Sequence, residues 1–540
     1  MGAFFVLRIK ERRQMMNVLE INQLKISVNG RELFNIPHLQ AQKGQRIGLV
    51  GRNGEGKTTL LRSIYENPAE KKGRIEVNGT CQYIPQLKRI ESFKSGGEIT
   101  ADEVAKALST FPQLLLADEP TTNLDTNHVE WVEKELTRFH GTLLLVSHDR
   151  QLLDHVCDTI WELAGGKVNV YSGNYSQYLE QKELERQHQK TEYEKYKQKK
   201  NQLSEALDQR KRKAEKATKE PKNLSPSERR IKGAKPYFAK KQKKLNQNAK
   251  AIQTRLAQLP KVEKPEDIPP LQMTLPNEKN IKNKVILRVE DLEGKAGKKK
   301  LWNPTTFFVR GGDKIGIVGP NGSGKTTLLQ KIIKGSDQAI TKYPAMKIGY
   351  FAQNLSELEQ NKTILENVSQ DSLQSETLIR TVLARLHFFD EDVHKPIHVL
   401  SGGERVKVSL AKLFVSDSNT LVLDEPTNHL DVHALEALED LLKEYEGTLL
   451  FASHDRRFIS SIATKILSLE ENQLSLFEGN YEAYLAKERQ SERDEHKDQL
   501  MKVETAIADV LGRLSLDPTN ERLEAEFQRL LKEKKILEEG

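Results

Sequence analysis

Two stretches carry nearly the same letters: "RIGLVGRNGEGKTTLL" over Arg46–Leu61 and "KIGIVGPNGSGKTTLL" over Lys314–Leu329. In each, a short apolar run reads as a strand, a Gly-rich turn follows, and a helical pattern comes next. That order suits a loop whose backbone N–H groups turn inward at a helix N-terminus, where they hold phosphates. Gly51, Gly54, Gly56 and Gly319, Gly322, Gly324 supply the turns, with Asn53 and Asn321 inside them. Lys57 and Lys325 are placed to reach the β- and γ-phosphates. Thr58 and Thr326 offer a hydroxyl to Mg²⁺, and Thr59 and Thr327 complete each loop.

Outward from these loops, the two halves repeat one order of signals. "SGGE" begins at Ser95 and at Ser401; "LLLADEPTTNLD" ends at Asp125 and "LVLDEPTNHLD" at Asp431. "LLLVSHDR" matches "LLFASHDR", and "YSGNYSQYLEQKE" matches "FEGNYEAYLAKER". A 540-residue chain exceeds what one core supports, and here it divides into a duplicated domain. The apolar runs read as interior strands of a mostly parallel sheet. Asp118 and Asp424 each close such a strand, as a second Mg²⁺ ligand would. Glu119 and Glu425 follow directly, where a carboxylate can polarise attacking water.

Segments of the SGGE, DEPT and SHDR kinds, in this order, resemble ATP-binding cassettes. The resemblance implies an α/β fold with two tandem P-loop ATPase domains and two composite ATP sites. One would join Lys57, Thr58, Gln86, Asp118, Glu119 and His148 to Ser401, Gly402 and Gly403. The other would join Lys325, Thr326, Gln353, Asp424, Glu425 and His454 to Ser95, Gly96 and Gly97. Gln86 and Gln353 are expected near Mg²⁺ and the water, and Asp125 and Asp431 at the seam between cassettes. ATP would bridge and close the pair, and hydrolysis would let it open. The chain departs from the pattern in two ways. The signature follows Gln86 by 95 − 86 = 9 positions but follows Gln353 by 401 − 353 = 48, so the helical subdomain is nearly missing from the first half. Neither loop is preceded by an aromatic at the adenine-stacking position; Trp302 is open as either a stacking or a core residue.

Between the cassettes the composition changes. Gln181–Pro260 holds 24 Lys or Arg against 9 Asp or Glu, so 24 − 9 = +15 against a net +8 for the whole chain. The segment reads as two helices around a loop. Tyr193, Tyr196, Leu203 and Leu207 on one arm, and Phe238, Leu245, Ala249, Ile252, Leu256 and Leu259 on the other, step as a coiled-coil seam. Arms of roughly 25–35 residues are expected, with Pro221, Pro226, Gly233 and Pro236 breaking the turn between them. Coiled coils that serve only solubility tend to mix both charge signs. The bias here fits RNA or DNA, with phosphates giving affinity and aromatics able to stack on exposed bases. Candidate RNA-contacting residues are Lys213, Lys216, Lys219, Lys222, Arg229, Arg230, Lys232, Lys235 and Tyr237; Phe238 fits the seam instead.

Two cassettes, a basic helical linker and no run approaching the ~18 apolar residues of a membrane span resemble the ABC-F proteins. Within them the Vga-type resistance factors are similar in "NLSPSERRIKGAKPYFAKKQKKL" and "VLSGGERVKVSLAKLF". The resemblance implies a cytoplasmic, monomeric ATPase using ATP and Mg²⁺, its partners being the bacterial 70S ribosome with 23S rRNA and P-site tRNA. Neither membrane nor DNA is expected as a partner. The ATP-closed form would enter the tRNA exit site and protect against lincosamides, streptogramin A compounds and pleuromutilins. A housekeeping translation factor, an exporter's nucleotide subunit and a DNA-repair ATPase are the alternatives. The expected boundaries are an extension at 1–16 (with Met15 or Met16 the true start), cassette one at 17–180, the linker at 181–283, cassette two at 284–487 and a helical extension at 488–540. Cys81 and Cys157, far apart and without metal spacing, suit a reducing compartment.

Overall fold

The computed structural model describes residues 17–28, 31–66, 72–86, 96–122, 124, 126–216, 234–262, 281–297, 299–351, 358–428, 430–516 and 521–539. The expected 1–16 extension and most of the strap after Pro260 lie outside them. The chain forms two compact units: residues 1–171 with 270–540, and residues 172–269.

The larger unit holds both cassettes. In the first, β1 (Asn17–Val28), β2 (Arg31–Gln42), β3 (Arg46–Gly51), helix α1 (Lys57–Glu66), β4 (Lys72–Val77) and β5 (Cys81–Ile84) come in order. After them come α2 (Gly96–Ser109), β6 (Leu114–Asp118), α3 (Thr126–Arg138), β7 (Thr142–Val146), α4 (Arg150–Val156), β8 (Thr159–Ala164) and β9 (Lys167–Ser172). A three-stranded antiparallel sheet, β2-β1-β4, accompanies a six-stranded one, β5-β6-β7-β3-β8-β9. From β5 to β8 the second sheet is parallel, with β6 and β7 buried at every position. This is why those runs are continuously apolar rather than alternating. A Cβ at Gly48, in central β3, would come within 2.9 Å of both Leu153 on α4 and Ile160 on β8. Glycine lets the helix sit directly on the strand that feeds the phosphate loop.

The two halves of the chain share this plan. After the hairpin helices α5 (Tyr175–Lys216) and α6 (Ala234–Ala257), the second cassette runs β10 (Val285–Ala296), β11 (Lys299–Arg310), β12 (Lys314–Val318), α7 (Lys325–Lys334), β13 (Ile340–Lys342) and β14 (Ile348–Phe351). Then come α8 (Ile364–Ser369), α9 (Glu376–Arg385), two 3₁₀ turns and α10 (Gly402–Phe414). Strand β15 (Thr420–Asp424), α11 (Val432–Glu444), β16 (Thr448–Ala452), α12 (Arg456–Ile462), β17 (Lys465–Glu470) and β18 (Gln473–Phe477) complete it. Its main sheet, β14-β15-β16-β12-β17-β18, has the same order as the first. Helices α8 and α9 form the subdomain of the second half; among the described residues the first half has no helix between β5 and α2. At the end, α13 (Tyr481–Leu516) and α14 (Glu521–Glu539) pack together, with Lys534 2.7 Å from Glu504. Helix α13 starts ahead of Glu488, so the tail continues a helix of the cassette instead of beginning a new one.

Trp302 is fully buried, its indole N–H donating to Leu292 O at 3.1 Å. It packs under the Gly324 turn, which resolves it as a core residue and not a stacking platform.

The smaller unit is a hairpin of α5 (Tyr175–Lys216, 42 residues) and α6 (Ala234–Ala257, 24 residues), which pack on each other. Leu207 and Ala249 are buried in the seam, and Tyr193, Tyr196, Leu203, Leu245, Ile252 and Leu256 are half-buried there. The first arm exceeds the expected 25–35 residues because its helix starts at Tyr175. Pro236, expected in the turn, stands inside the first turn of α6. Its missing N–H costs little there, because the N–H groups of a helix's first turn have no partner within the helix. Lys213 is exposed near the end of α5. Lys216 ends α5 and Lys235 and Tyr237 open α6, while Lys219, Lys222, Arg229, Arg230 and Lys232 lie outside the described residues.

Candidate active site

Each phosphate loop ends on a left-handed glycine, Gly56 (φ +101°) and Gly324 (φ +108°), directly before the helix that carries the lysine. A Cβ-bearing residue rarely holds that backbone. Lys57 Nζ donates to Gly51 O at 2.7 Å and Arg52 O at 3.2 Å; Lys325 Nζ donates to Gly319 O at 2.8 Å and Pro320 O at 3.3 Å. Burial lowers the Lys57 ammonium pKa, and the Glu119 charge opposes it.

The acidic pair closes β6 and β15. Burial raises the Asp118 and Asp424 carboxyl pKa values from their ordinary range. Thr326 Oγ1 donates to Asp424 Oδ1 at 3.1 Å, and the Tyr83 hydroxyl donates to Asp118 Oδ2 at 3.2 Å. Asp118 Oδ1 is buried with no hydrogen-bond donor. A buried, unclaimed carboxylate oxygen beside a threonine hydroxyl is a hard-oxygen donor set, and it fits Mg²⁺.

Glu119 and Glu425 both stand in left-handed backbone, at φ +53° and +50°. Each turn is tied to the next strand: Glu119 N donates to Val146 O at 2.8 Å, and Glu425 N to Ala452 O at 3.0 Å. His148 Nε2 lies 3.1 Å from Glu119 Oε1, and His454 Nε2 lies 3.4 Å from Glu425 Oε1 and 3.0 Å from Lys325 Nζ. Burial pushes Glu425 up to about 7 and lowers His148. Carboxylate and imidazole thus meet at the end of the sheet beside each lysine, where a water on a terminal phosphate could be deprotonated or polarised.

The cassettes meet across one composite cavity of about 160 Å³, lined by Arg52 and Asn53 of the first phosphate loop and by His387, Ser401, Gly403, Lys407 and Asp431 of the second half. Asp431 Oδ2 accepts from Asn53 N at 3.0 Å, and its Oδ1 accepts from Ala434 N at 2.9 Å, capping α11. Ser401 caps α10 in a capping box with Glu404.

Known proteins match this arrangement. A family model described as "ABC transporter" matches residues 34–94 and 302–428, and a second of the same description matches 161–229. The Erythromycin resistance ATP-binding protein MsrA of Staphylococcus epidermidis is 34% identical over 83% of this chain and 96% of its own length. Ribosome protection protein VmlR of Bacillus subtilis is 31% identical over 97% of this chain and 99% of its own. The chain belongs to the ABC-F family. Its members are ATPases, and so is this chain. A solved structure of "RNase-L Inhibitor" shares the fold, with a TM-score of 0.55 at 17% identity over 87% of this chain and 92% of that one. Among the described residues of this ABC-F chain, no helix is long and apolar enough to cross a membrane.

The structure brings Asn53, Ser401, Gly403 and Asp431 together. It also gathers Lys57, Asp118, Glu119 and His148 in one cassette and Lys325, Asp424, Glu425 and His454 in the other. Gly402 opens α10 beside them. Gln86 is exposed just past β5, and Gly96 and Gly97 open α2; Ser95, Asp125 and Gln353 lie outside the described residues. Sequence reasoning missed the residues that join the halves of the ABC-F chain. Arg150 is buried and pairs with Glu439, with Asp455 at 3.5 Å; Arg456 lies 2.8 Å from Glu133 and 3.4 Å from Glu130. The signal was present: both arginines end an SHDR, and Glu133 and Glu439 hold the same place in the two repeats.

Proposed function

We propose that this chain is a ribosome-protection factor. With two ATPs clamped between its cassettes, it enters the tRNA exit site of the bacterial 70S ribosome, and its basic hairpin displaces lincosamides, streptogramin A compounds or pleuromutilins from the peptidyl-transferase centre. Hydrolysis then releases it. In this reading the protein is a cytoplasmic monomer whose halves pair with each other, and the basic stretch from Lys213 to Gly233, with Tyr237, meets 23S rRNA and P-site tRNA. Two relatives, an erythromycin resistance protein and a ribosome protection protein, support the protective role. The observation that carries the reading is the hairpin, a two-helix unit of its own with a net positive charge, inserted between two ATPase cassettes. Phosphates supply affinity for such a surface and make it salt-dependent.

Within each site the lysine and loop N–H groups would hold the β- and γ-phosphates. Thr58 with Asp118, and Thr326 with Asp424, would hold Mg²⁺, which when bound draws charge from the phosphoryl oxygens. Glu119 and Glu425 would orient the attacking water, with His148 and His454 beside them. Ser401 and Gly403 would close on the nucleotide of the first cassette.

The test is expression in a drug-sensitive Gram-positive host, with inhibitory concentrations measured for the three drug classes and for erythromycin. A rise of fourfold or more for at least one class is expected; no change for any would leave a translation factor without resistance. In parallel, the Glu119→Gln/Glu425→Gln protein should co-sediment with ribosomes in ATP more strongly than wild type. Recovery with membranes would reject the reading.

A further inference from the structure

The duplicated cassettes differ at one place beside the acidic pair. In the first, the Tyr83 hydroxyl donates to Asp118 Oδ2 at 3.2 Å. The Arg62 guanidinium lies against that same hydroxyl, and the Tyr65 ring tilts against Tyr83 with centroids 5.6 Å apart. The second cassette has Tyr350 at the equivalent point of its sheet, since β5 aligns Tyr83 with Leu116 as β14 aligns Tyr350 with Val422. Arg62, however, is replaced there by Gln330, and Tyr65 by Ile333. Tyr350 faces Gln330 there, and Asp424 accepts from Thr326 Oγ1; Asp118 likewise meets Thr58, and the Tyr83 bond is what it has in addition.

We infer that Tyr83, anchored by Arg62, is a positioning residue that fixes the cation-facing edge of Asp118 in the first cassette alone. A carboxylate turns easily about its last bond, whose torsion is broad. A donor on Oδ2 stops that rotation and leaves Oδ1, buried and without a donor, as the edge offered to the cation. The arginine strengthens the bond by polarising the phenol, as linked hydrogen bonds do. Partners behind a metal ligand commonly change metal affinity about 10–100-fold when removed. The two sites are therefore unequal. Asp118 is held by Tyr83, a group outside the cation's own ligands, whereas Asp424 is held by Thr326, which is itself assigned to the cation and must turn from the carboxylate when the cation arrives. The first site thus holds the divalent cation of the nucleotide more tightly.

The inference rests on the assignment of Asp118 and Asp424 to the cation, and one experiment separates the two ideas. Mn²⁺ is titrated into the full-length protein with a non-hydrolysable ATP analogue and followed by electron paramagnetic resonance. Metal-free binding of the analogue and thermal melting are measured alongside. Wild type should show a tight and a weak class of nucleotide-dependent Mn²⁺. Tyr83→Phe should weaken the tight class about tenfold. Arg62→Gln, which recreates the second cassette's arrangement, should do the same more mildly, and Tyr350→Phe should change nothing. Metal-free analogue binding and melting should stay at wild-type values, which a general loosening of β5 would not allow. Two classes unchanged in Tyr83→Phe, or an equal loss in Tyr350→Phe, overturns the inference and leaves the cation assignment standing. No nucleotide-dependent Mn²⁺ in any protein overturns both.

Discussion

Arg456 of the second cassette lies 2.8 Å from Glu133 of the first, and the equivalent pair, Arg150 and Glu439, crosses the same seam in the opposite direction. The two bonds obey the logic of a two-fold interface, in which each residue type meets its counterpart twice. They use only protein groups, so they can hold the cassettes in register before any nucleotide adds its own contacts.

The deeper bond should matter more. The side chains of Arg150 and Glu439 are 1% and 7% exposed, against 11% and 18% for Arg456 and Glu133. Glu439→Gln takes a carboxylate away from a buried guanidinium, and should cost about 3 kcal/mol, the low end for breaking a buried pair. Glu133→Gln should cost about 1 kcal/mol. Thermal melting of the two variants checks the order, and restoring charge by swapping Arg456 and Glu133 together should recover part of the loss.

The seam also sets a pH response. Burial, then the neighbouring Asp455, pushes the Asp149 carboxyl from 3.8 up to about 6. Between those values the folded chain keeps a proton that the unfolded chain releases, so this group's contribution to stability falls as pH rises through that window. Asp149→Asn keeps the cap of α4 and removes the titration. Melting points should therefore fall less for the variant than for wild type between about pH 4 and 6.5. Asp431 has the opposite sign. Burial alone would raise it, but the Asn53 and Ala434 N–H groups and the Lys407 charge hold it below the ordinary range. Asp431→Asn should lose stability at neutral pH, and the gap to wild type should close on acidification.

Replacing Glu119 and Glu425 together with Gln should lower phosphate release by about 100-fold or more, the usual scale for a lost catalytic base. ATP binding, measured by equilibrium dialysis, should remain. Loss of binding instead would assign these carboxylates to nucleotide affinity.

The hairpin can be loosened without touching the cassettes' chemistry. Leu207 is 8% exposed in the seam between α5 and α6. Leu207→Ala should destabilise that unit by about 2–4 kcal/mol. Hydrogen exchange should rise in both arms, while phosphate release in the absence of ribosomes stays at the wild-type rate.

What the sequence made legible, and what it hid, follows from the range of the interactions. The phosphate loops, the acidic pair and the paired histidines are local: Gly56, Lys57 and Thr58 are neighbours in the chain, so spacing alone places them. Seam residues of the hairpin were legible too, because Leu207 and Ala249 fall on a helical period. Tyr83 and Arg62 were not, since a tyrosine in a strand and an arginine on an exposed helix face have ordinary explanations, and only the fold brings both to Asp118. Trp302 stayed ambiguous until its indole N–H found Leu292 O. Pro236 was misplaced because a proline that breaks a helix interior is welcome in a first turn, and composition cannot tell the two apart.

The turns at Glu119 and Glu425 are stitched to the adjacent strands through Val146 O and Ala452 O, so each acid is riveted to the rigid frame of its own half. A swing of that turn's backbone is therefore a poor timer for the reaction. In the proposed cycle the clock is kept by the arrival of the opposite half's serine and glycines, and an unpaired half would sit armed but idle.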